Sequence, residues 1–548
     1  MQIGTKSLPS VMQHSFSHIP QARIPRSSFI RNYAHKTTFN ADYLIPFFWD
    51  EVYPADTIQF NLSYIIRMIT PSTPFMDNLY ADFFYFFVPF RLIQDNWEKL
   101  MGAQDDPGDS IDFSTPKLTA PASTGYTTPT DWSSPTTAQL AGALQDYLGV
   151  PPGVADLEHH NYCGRAYNLI WNEWFRDENL QDSLTVDLDD GPDTYTDYIL
   201  QKRGKRHDYF TSCLPWLQKG TAESVPIGTE APVLGIGAHN QTFGASSVSA
   251  YETDGSGTTT YADAKNVSGS VNTNNSLYIE EDTGNAGFPW IRADLTSATG
   301  STIAALYQAF AIQELLQQDA RGGTRYVELI NSHFGVTSPD FRLQRPEYLG
   351  GASVPIMVTP LAQTSETATT ELGTLAATAT GQADNVGFFK GFVEHGIVIG
   401  MVSVRADLTY QQGLHRCFLR DTRYDFYFPA LANLAEQEVT NVEIFAQGDS
   451  NDDLVFGYQE RWSELKFGRS SISGRMRSSD ASTLDVWHLS EEFGSLPSLN
   501  SDFIESNTPV DRVTAVTSEP HFKGDFYAKS KWARPMPMYS VPGLQNRF

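Results

Sequence analysis

The chain has 548 residues, 41% of them hydrophobic and 13% aromatic, with a net charge of −26. That length allows two or three domains, or one sheet domain swollen by insertions, and 34 Phe with 25 Tyr favour strands over helices. So acidic a surface repels nucleic-acid phosphates as a whole, so any nucleic-acid contact has to be local.

Cys163, Cys213 and Cys417 lie far apart with no CxxC spacing. They read as reduced core thiols of a protein assembled in a cytoplasm. The opening residues lack the apolar run of a secretory signal, and no window of about eighteen apolar residues reads as a membrane span.

Residues 1–41 contain no Asp or Glu and carry Lys6, Arg23, Arg26, Arg31 and Lys36 in a Pro/Ser-rich setting. They read as an extended basic arm. An arm lying across a neighbouring subunit or domain accounts for them. Phe16, Phe29 and Tyr33, interleaved with the cations, also suit single-stranded nucleic acid, where cations meet phosphates and aromatic faces meet bases. His14 and His18 have a helical spacing but lack the glutamate of a zinc motif.

The stretch 38–100 is the strongest strand signal. Ile58, Phe60, Leu62, Tyr64, Ile66 and Met68 alternate with Thr57, Gln59, Asn61, Ser63 and Arg67, and only Ile65 breaks the pattern. This predicts a long half-buried strand. Phe83 to Val88 is apolar throughout, which predicts a central strand covered on both faces. Helices are expected at FRLIQDNWEKL after Pro89, at TTAQLAGALQDYLGV before two prolines, and at 165–181, whose Trp and Tyr residues suit subunit interfaces.

The acidic run Asp187, Asp189, Asp190 and Asp193 invites a calcium reading. Gly191 comes one place early and Tyr198 stands where the loop needs glutamate, so a solvated turn is expected instead. Lys202, Arg203, Lys205 and Arg206 lack the frame of a phosphate loop. They read as an exposed basic turn pairing with acidic neighbours, or as a phosphate-contacting or inter-subunit patch.

From 222 to 300 the chain is rich in Gly, Ser, Thr and Asn, with Lys265 and Arg292 as its only cations. It is too long for an ordinary loop and too poor in bulky apolar residues for its own core. An ordered surface protrusion stabilised by its own copies in an oligomer is expected, with a flexible linker as the alternative. A clear helix follows at 302–320, then a Thr/Ala/Gly-rich loop at 357–385. A strand over 393–410 alternates Val402, Val404 and Ala406 with Ser403, Arg405 and Asp407, and VTNVEIFAQG reads as another. The last strand places Lys529 and Lys531 on one face before a proline-rich tail. With strands at both ends and helices in the connections, the fold expected is mainly β: an eight-stranded antiparallel jelly roll with long helical and loop insertions.

Motifs that carry catalysis are missing: there is no GxSxG, no HExxH and no GxGxxG after a strand. Cys163 has His159 and His160 nearby in sequence, which is not how a catalytic Cys–His pair is spaced. A jelly-roll carbohydrate-binding or carbohydrate-active protein is the alternative class, because 64 acids prevent spacing from singling out a catalytic pair.

Several long stretches carry a resemblance. They include KTTFNADYLIPFFWDEVYPADT (36–57), PFMDNLYADFFYFFVPFRLIQDNWEKLMG (74–102), RAYNLIWNEWFRDENLQDS (165–183), EHGIVIGMVSVRADLTYQQGLHR (394–416) and ARPMPMYSVPGL (533–544). Together with 202–220, 319–351, 423–441, 456–478 and 484–489 they are similar, in collinear order, to the major capsid protein of the Microviridae, in its gokushovirus branch.

The resemblance implies a jelly roll assembled as a closed T=1 icosahedral shell of sixty copies around a circular single-stranded DNA genome. It implies no enzymatic activity and no cofactor. Expected partners are further copies of the chain, the DNA, an internal scaffolding protein, a DNA pilot protein, a small basic DNA-binding protein and a host cell-surface receptor. The expected location is the virion, after assembly in the bacterial host cytoplasm. Residues 42–221 and 301–548 would form the jelly-roll domain, and 222–300 a protrusion at the three-fold axes used in host attachment. Charge alone nominates the DNA-facing candidates: the five arm cations, Lys529 and Lys531, and the cluster Arg469, Arg475 and Arg477.

Overall fold

The period-two stretch is one unbroken strand, Thr57–Met68, whose six alternate apolar residues are buried while Ile65 faces out. It belongs to a computed structural model that describes residues 25–220, 233–234, 236–237, 278–279, 284, 290–293, 303–336, 343–367, 371–432 and 436–539. In chain order the strands are β1 (Ser27–Ile30), β2 (Tyr33–Phe39), β3 (Ile45–Val52), β4 (Thr57–Met68) and β5 (Leu79–Pro89). Then come β6 (Glu347–Ala362), β7 (Leu375–Gly391), β8 (Gly396–Ala406), β9 (Glu436–Thr440), β10 (Val455–Glu460) and β11 (Phe522–Arg534). The longer helices are α1 (Thr137–Tyr147), α2 (Tyr162–Trp174), α3 (Ile303–Gly322) and α4 (Tyr326–Phe334).

Antiparallel pairing follows one path, β1–β11–β4–β7–β6–β5–β8–β3, with β2 also beside β11. Strand β6 is shared. Its residues 347–356 pair with β5, and 357–362 pair with β7. The path therefore curls, so that β3 and β5 face β4, β7 and β11 across an aromatic core. Ring centroids lie 5.0 Å apart for Phe47 and Phe526, 4.5 Å for Phe48 and Phe60, 4.4 Å for Tyr64 and Phe83, and 5.3 Å for Tyr85 and Phe388. Burying each such ring contributes about 1.5–3 kcal/mol, and each well-placed aromatic pair roughly 0.5–1.5 kcal/mol more. This is the jelly-roll β-sandwich with insertions that the alternating ends of the chain predict.

The run Phe83–Val88 lies in β5, between β6 and β8, and is apolar on both sides for a physical reason. One side meets the sandwich core. On the other, Phe84 packs against Phe175 at 5.1 Å and Phe86 against Trp174 at 5.6 Å, both from the end of α2. Trp171 is buried too, whereas Trp174 stays 38% exposed. Helix α1 begins with a capping box, in which Thr136 Oγ1 accepts from the Gln139 amide and the Gln139 side chain accepts from the Thr136 amide. Thr136→Ala should cost about 1 kcal/mol, read as a lower denaturant midpoint at unchanged slope.

The structure corrects several expectations. Residues 357–385 are mostly not loop; they hold the end of β6 and the first half of β7. Their buried side is made of Ala377, Ala379 and Gly381, too small to register as a hydrophobic stripe. At Gly381 a Cβ would stand 3.0 Å from the Ile356 side chain of β6. FRLIQDNWEKL gives only two short turns, Phe90–Leu92 and Trp97–Leu100. The helix expected over 165–181 stops at Trp174, and the Asp177 carboxylate then accepts from the Asn179 and Leu180 amides. In VTNVEIFAQG, β9 ends at Thr440, which caps a helical turn, Asn441–Ile444. Cys417 is exposed, whereas Cys163 and Cys213 are buried, and burial pushes the Cys163 thiol far above its ordinary value. What reads as an arm is, from Ser27 onward, two edge strands held along β11.

A second compact unit comprises Gln218–Thr337 and so takes in α3 and α4. Its described strands are two short antiparallel pairs, Val233–Leu234 with Arg292–Ala293 and Ile236–Gly237 with Tyr278–Ile279. Helices α3 and α4 are tied by His333 and Asp319, 2.5 Å apart, and α4 ends at Gly335 in the left-handed region. Most of the protrusion candidate 222–300 lies outside the described residues.

Candidate nucleic-acid interface

Strand β11 sorts its side chains cleanly. Phe522, Phe526, Ala528 and Trp532 enter the core, while Lys523, Asp525, Tyr527, Lys529 and Lys531 point outward. In register, Lys523 stands beside Arg67 of β4, Lys529 beside Asn61 and Lys531 beside Gln59, and Lys36 of β2 stands opposite Asp525. The outward face of β2, β11 and β4 therefore collects Lys36, Arg67, Lys523, Lys529 and Lys531. Lys36 binds Asp525 at 2.8 Å, and Lys523 binds Glu519 at 3.1 Å. The Lys529 ammonium donates to Ser63 Oγ at 3.2 Å and lies 5.7 Å from the Tyr527 ring.

Two shallow depressions adjoin on this face and share Lys36, Ile65 and Asp525. One adds Tyr527, Ser63, Gln382 and Asp384, the other Arg67, Lys523 and Asp146. Ammonium groups for phosphates, an aromatic face for a base, and Gln59, Asn61 and Ser63 as polar partners make a surface suited to single-stranded nucleic acid. Two of its cations, Lys523 and Arg67, escaped the sequence reading. The signal was present: Lys523 has the same parity as Lys529 and Lys531, and Arg67 the parity of the polar side of β4.

Lys6 and Arg23 lie outside the described residues. Arg26 donates to Thr57 Oγ1 at 2.7 Å and to the Ala533 carbonyl at 3.3 Å. Arg31 is spent on Asp50, at 2.6 Å, and on the Trp532 ring, at 4.7 Å. The trio Arg469, Arg475 and Arg477 does not join the β11 face, and each donates to a backbone carbonyl, of Leu414, Ser482 and Gln411 respectively. Arg469 also lies 5.3 Å from the Phe210 ring.

The basic turn points mostly inward. Lys205 is buried, 2.7 Å from Glu491 and 4.4 Å from the Phe503 ring. Arg203 reaches Asp82 at 2.5 Å, Arg206 stays largely exposed 3.9 Å from it, and Lys202 lies over Tyr43 at 5.7 Å. Asp82 also takes Arg405 at 2.8 Å and the Ser353 hydroxyl at 2.5 Å. Burial alone would raise the Asp82 carboxyl; Ser353, Arg203 and Arg405 outweigh it and hold the group below the ordinary carboxylate value. This explains how Arg405 of β8 can be covered rather than solvated.

The acidic run is a solvated turn only in part: Asp189 is 77% exposed, but Asp193 is not. The side chains of Arg165 and Asp193 are fully buried and 2.5 Å apart, Asp189 joins Arg165 at 3.3 Å, and Asp190 accepts from Gln94 and Asn96. A buried guanidinium requires such partners, and sequence spacing alone cannot show that one lies beneath the run. Among the described residues, no group of three or more His, Cys, Asp or Glu is placed to hold a metal ion, and no helix is long and apolar enough to cross a membrane.

The described residues thus form a jelly-roll sandwich with one outward sheet face that carries cations, a fold that hosts many functions. The sequence places it further. The capsid protein (F protein) family matches residues 17–544, and the chain belongs to that family. It is 45% identical over 547 residues to the capsid protein VP1 of Bdellovibrio phage phiMH2K, covering 98% of both chains. It is 40% identical to the capsid protein VP1 of Chlamydia phage 1, covering 99% of each, and 36% identical to that of Spiroplasma virus 4, covering 97% of this chain and 98% of that one. The resemblance to the microvirus capsid proteins thus holds over nearly the whole length. As a capsid protein, the chain works in an oligomeric assembly, the virion.

Proposed function

We propose that this chain is the major capsid protein of a T=1 shell of sixty copies, closed around a circular single-stranded DNA genome. Its role is structural, and it carries out no reaction of its own. Closed symmetry repeats each contact many times, so modest pairwise interfaces sum to a stable particle. The observation that carries the DNA part is the row Lys523, Lys529 and Lys531 beside Arg67 and Lys36, on a chain whose net charge is −26. That face lies inside the shell and the acidic remainder outside. The segment 222–300 forms the protrusion used in attachment to a host surface receptor. An internal scaffolding protein, a DNA pilot protein and a small basic DNA-binding protein complete assembly in the bacterial cytoplasm.

Negative-stain microscopy of the expressed chain with its scaffolding partner tests the shell. Uniform small closed particles are expected, and monomers alone would count against it. For the DNA face, the triple change Lys523→Ala, Lys529→Ala and Lys531→Ala removes three phosphate contacts. With a slope of about −0.7 per phosphate on single strands, log K against log salt should become shallower by about 2. An unchanged slope with intact particles would place the DNA on another surface.

A further inference from the structure

The segment from Leu414 to Leu431 combines fixed geometry with outward apolar side chains. It runs through three short turns, Arg416–Phe418, Arg423–Asp425 and Pro429–Leu431. Its inner side is pinned beside β9 and β10. Arg416 binds Glu443 at 2.5 Å, Arg420 binds Glu464 at 3.0 Å, Arg461 donates to the Tyr424 carbonyl at 2.9 Å, and the Trp462 indole donates to the Asp425 carbonyl at 3.2 Å. The outer side carries Phe418, 73% exposed, Tyr424, 64% exposed, the half-exposed Phe426 and Tyr427, and Phe428, 37% exposed. Among the described residues, Arg420 lies 5.5 Å from the Phe426 ring, Trp462 5.2 Å from Tyr427 and Arg423 5.5 Å from Phe428, and each ring still keeps an open side. A run of five exposed aromatic side chains marks an interaction site rather than a free surface.

We propose that this strip docks onto a second copy of the same chain. The proposal rests on the shell reading above, which requires many copies to meet. Charge supports that occupant. The strip holds Arg416, Arg420 and Arg423 against Asp421 and Asp425, so it is close to neutral on a chain of −26. Two copies approaching through their acidic surfaces repel one another; this strip offers an acidic copy no such penalty. Among the described residues Arg423 is bound to no carboxylate, and it stacks 5.5 Å over the Phe428 ring. Phe, Tyr and Arg in one tract is the composition of interface cores. With each half-open ring able to cover on the order of 100 Å², the five supply most of the roughly 800 Å² per partner that a stable interface buries.

Cys417 sits inside the strip and is exposed, whereas Cys163 and Cys213 are buried. Maleimide labelling of the native protein therefore reports on the strip alone. Labelling of Cys417 should be at least tenfold slower in intact particles than in the same subunits after gentle dissociation, and equal rates overturn the proposal. The variant Phe418→Ser with Phe426→Ser should melt like wild type as a subunit and sediment as subunits instead of particles. Particles at wild-type yield from that variant overturn it as well. Protection that disappears when an accessory protein is stripped from intact shells assigns the cover to that protein, and the second copy is then excluded. A wild-type chain that forms no particles at all refutes the shell reading instead, which separates the two failures.

Discussion

Asp82→Ala is expected to destabilise the chain by about 3–5 kcal/mol, because it takes the counter-charge from Arg203 and leaves Arg405 only the more distant Asp407, at 3.4 Å. Asp82 sits on β5, and its side chain is 5% exposed. It holds Arg405 from β8 and Arg203 from the turn after α2, and it accepts from Ser353 of β6. Three segments distant in sequence thus meet at one carboxylate. Removing an acid from a chain of −26 relieves general repulsion, so a simple charge count predicts the opposite sign. Burial decides between them: surface repulsion is screened, while the Arg405 site is not. The pH dependence gives a second readout. The Asp82 carboxyl is held below its ordinary value of 3.8 in the folded state, so its stabilisation is complete above that pH. It is lost as pH falls through the lower folded value. The difference between wild type and Asp82→Ala, measured by denaturant unfolding, should therefore be large at neutral pH and shrink on acidification.

Phe526→Ala should cost a comparable amount, about 3–5 kcal/mol, by leaving a cavity in the middle of the sandwich. Phe526 is 1% exposed. It stacks on Phe47 of β3 at 5.0 Å and faces Tyr64 of β4 and Phe83 of β5, both at 6.3 Å. One ring from β11 thus joins both sheets, and the surrounding rings cannot all collapse inward to fill its place. A lower unfolding midpoint at unchanged slope is the expected result. The residue also backs the outward row of lysines, since Asp525 and Tyr527 flank it in sequence. Phe526→Leu keeps most of the volume and should lose much less. A loss as large as that of Phe526→Ala would mean that ring geometry, rather than filled volume, holds the strand.

The fold was legible where burial imposes a strong period. Strand β4 could be read residue by residue, because one face meets a core and the other meets water. Strand β5 was legible as doubly covered, because nothing polar interrupts Phe83–Val88. Strand β7 was not, since its buried positions include Ala377, Ala379 and Gly381, and a close sheet contact selects small residues that look like loop. The candidate interface was half legible. Lys529 and Lys531 follow from alternation along one strand, while Arg67 and Lys36 join them through strand pairing between the two ends of the chain.

The amino-acid sequence by itself determined the class of fold, its family and the presence of local cationic tracts in an acidic chain. These depend on short-range pattern and on similarity along the chain. Only the tertiary structure decided which charges are free. Lys205, Arg203 and Asp193 look like surface residues in sequence, yet Lys205 and Asp193 are buried and Arg203 nearly so, each against a partner well removed in the chain. Phe418 and Tyr424 look like core residues, yet they face outward. The physical reason is the same in both cases. A buried charge needs a partner and an exposed ring needs a cover, and neither lies next to it in sequence.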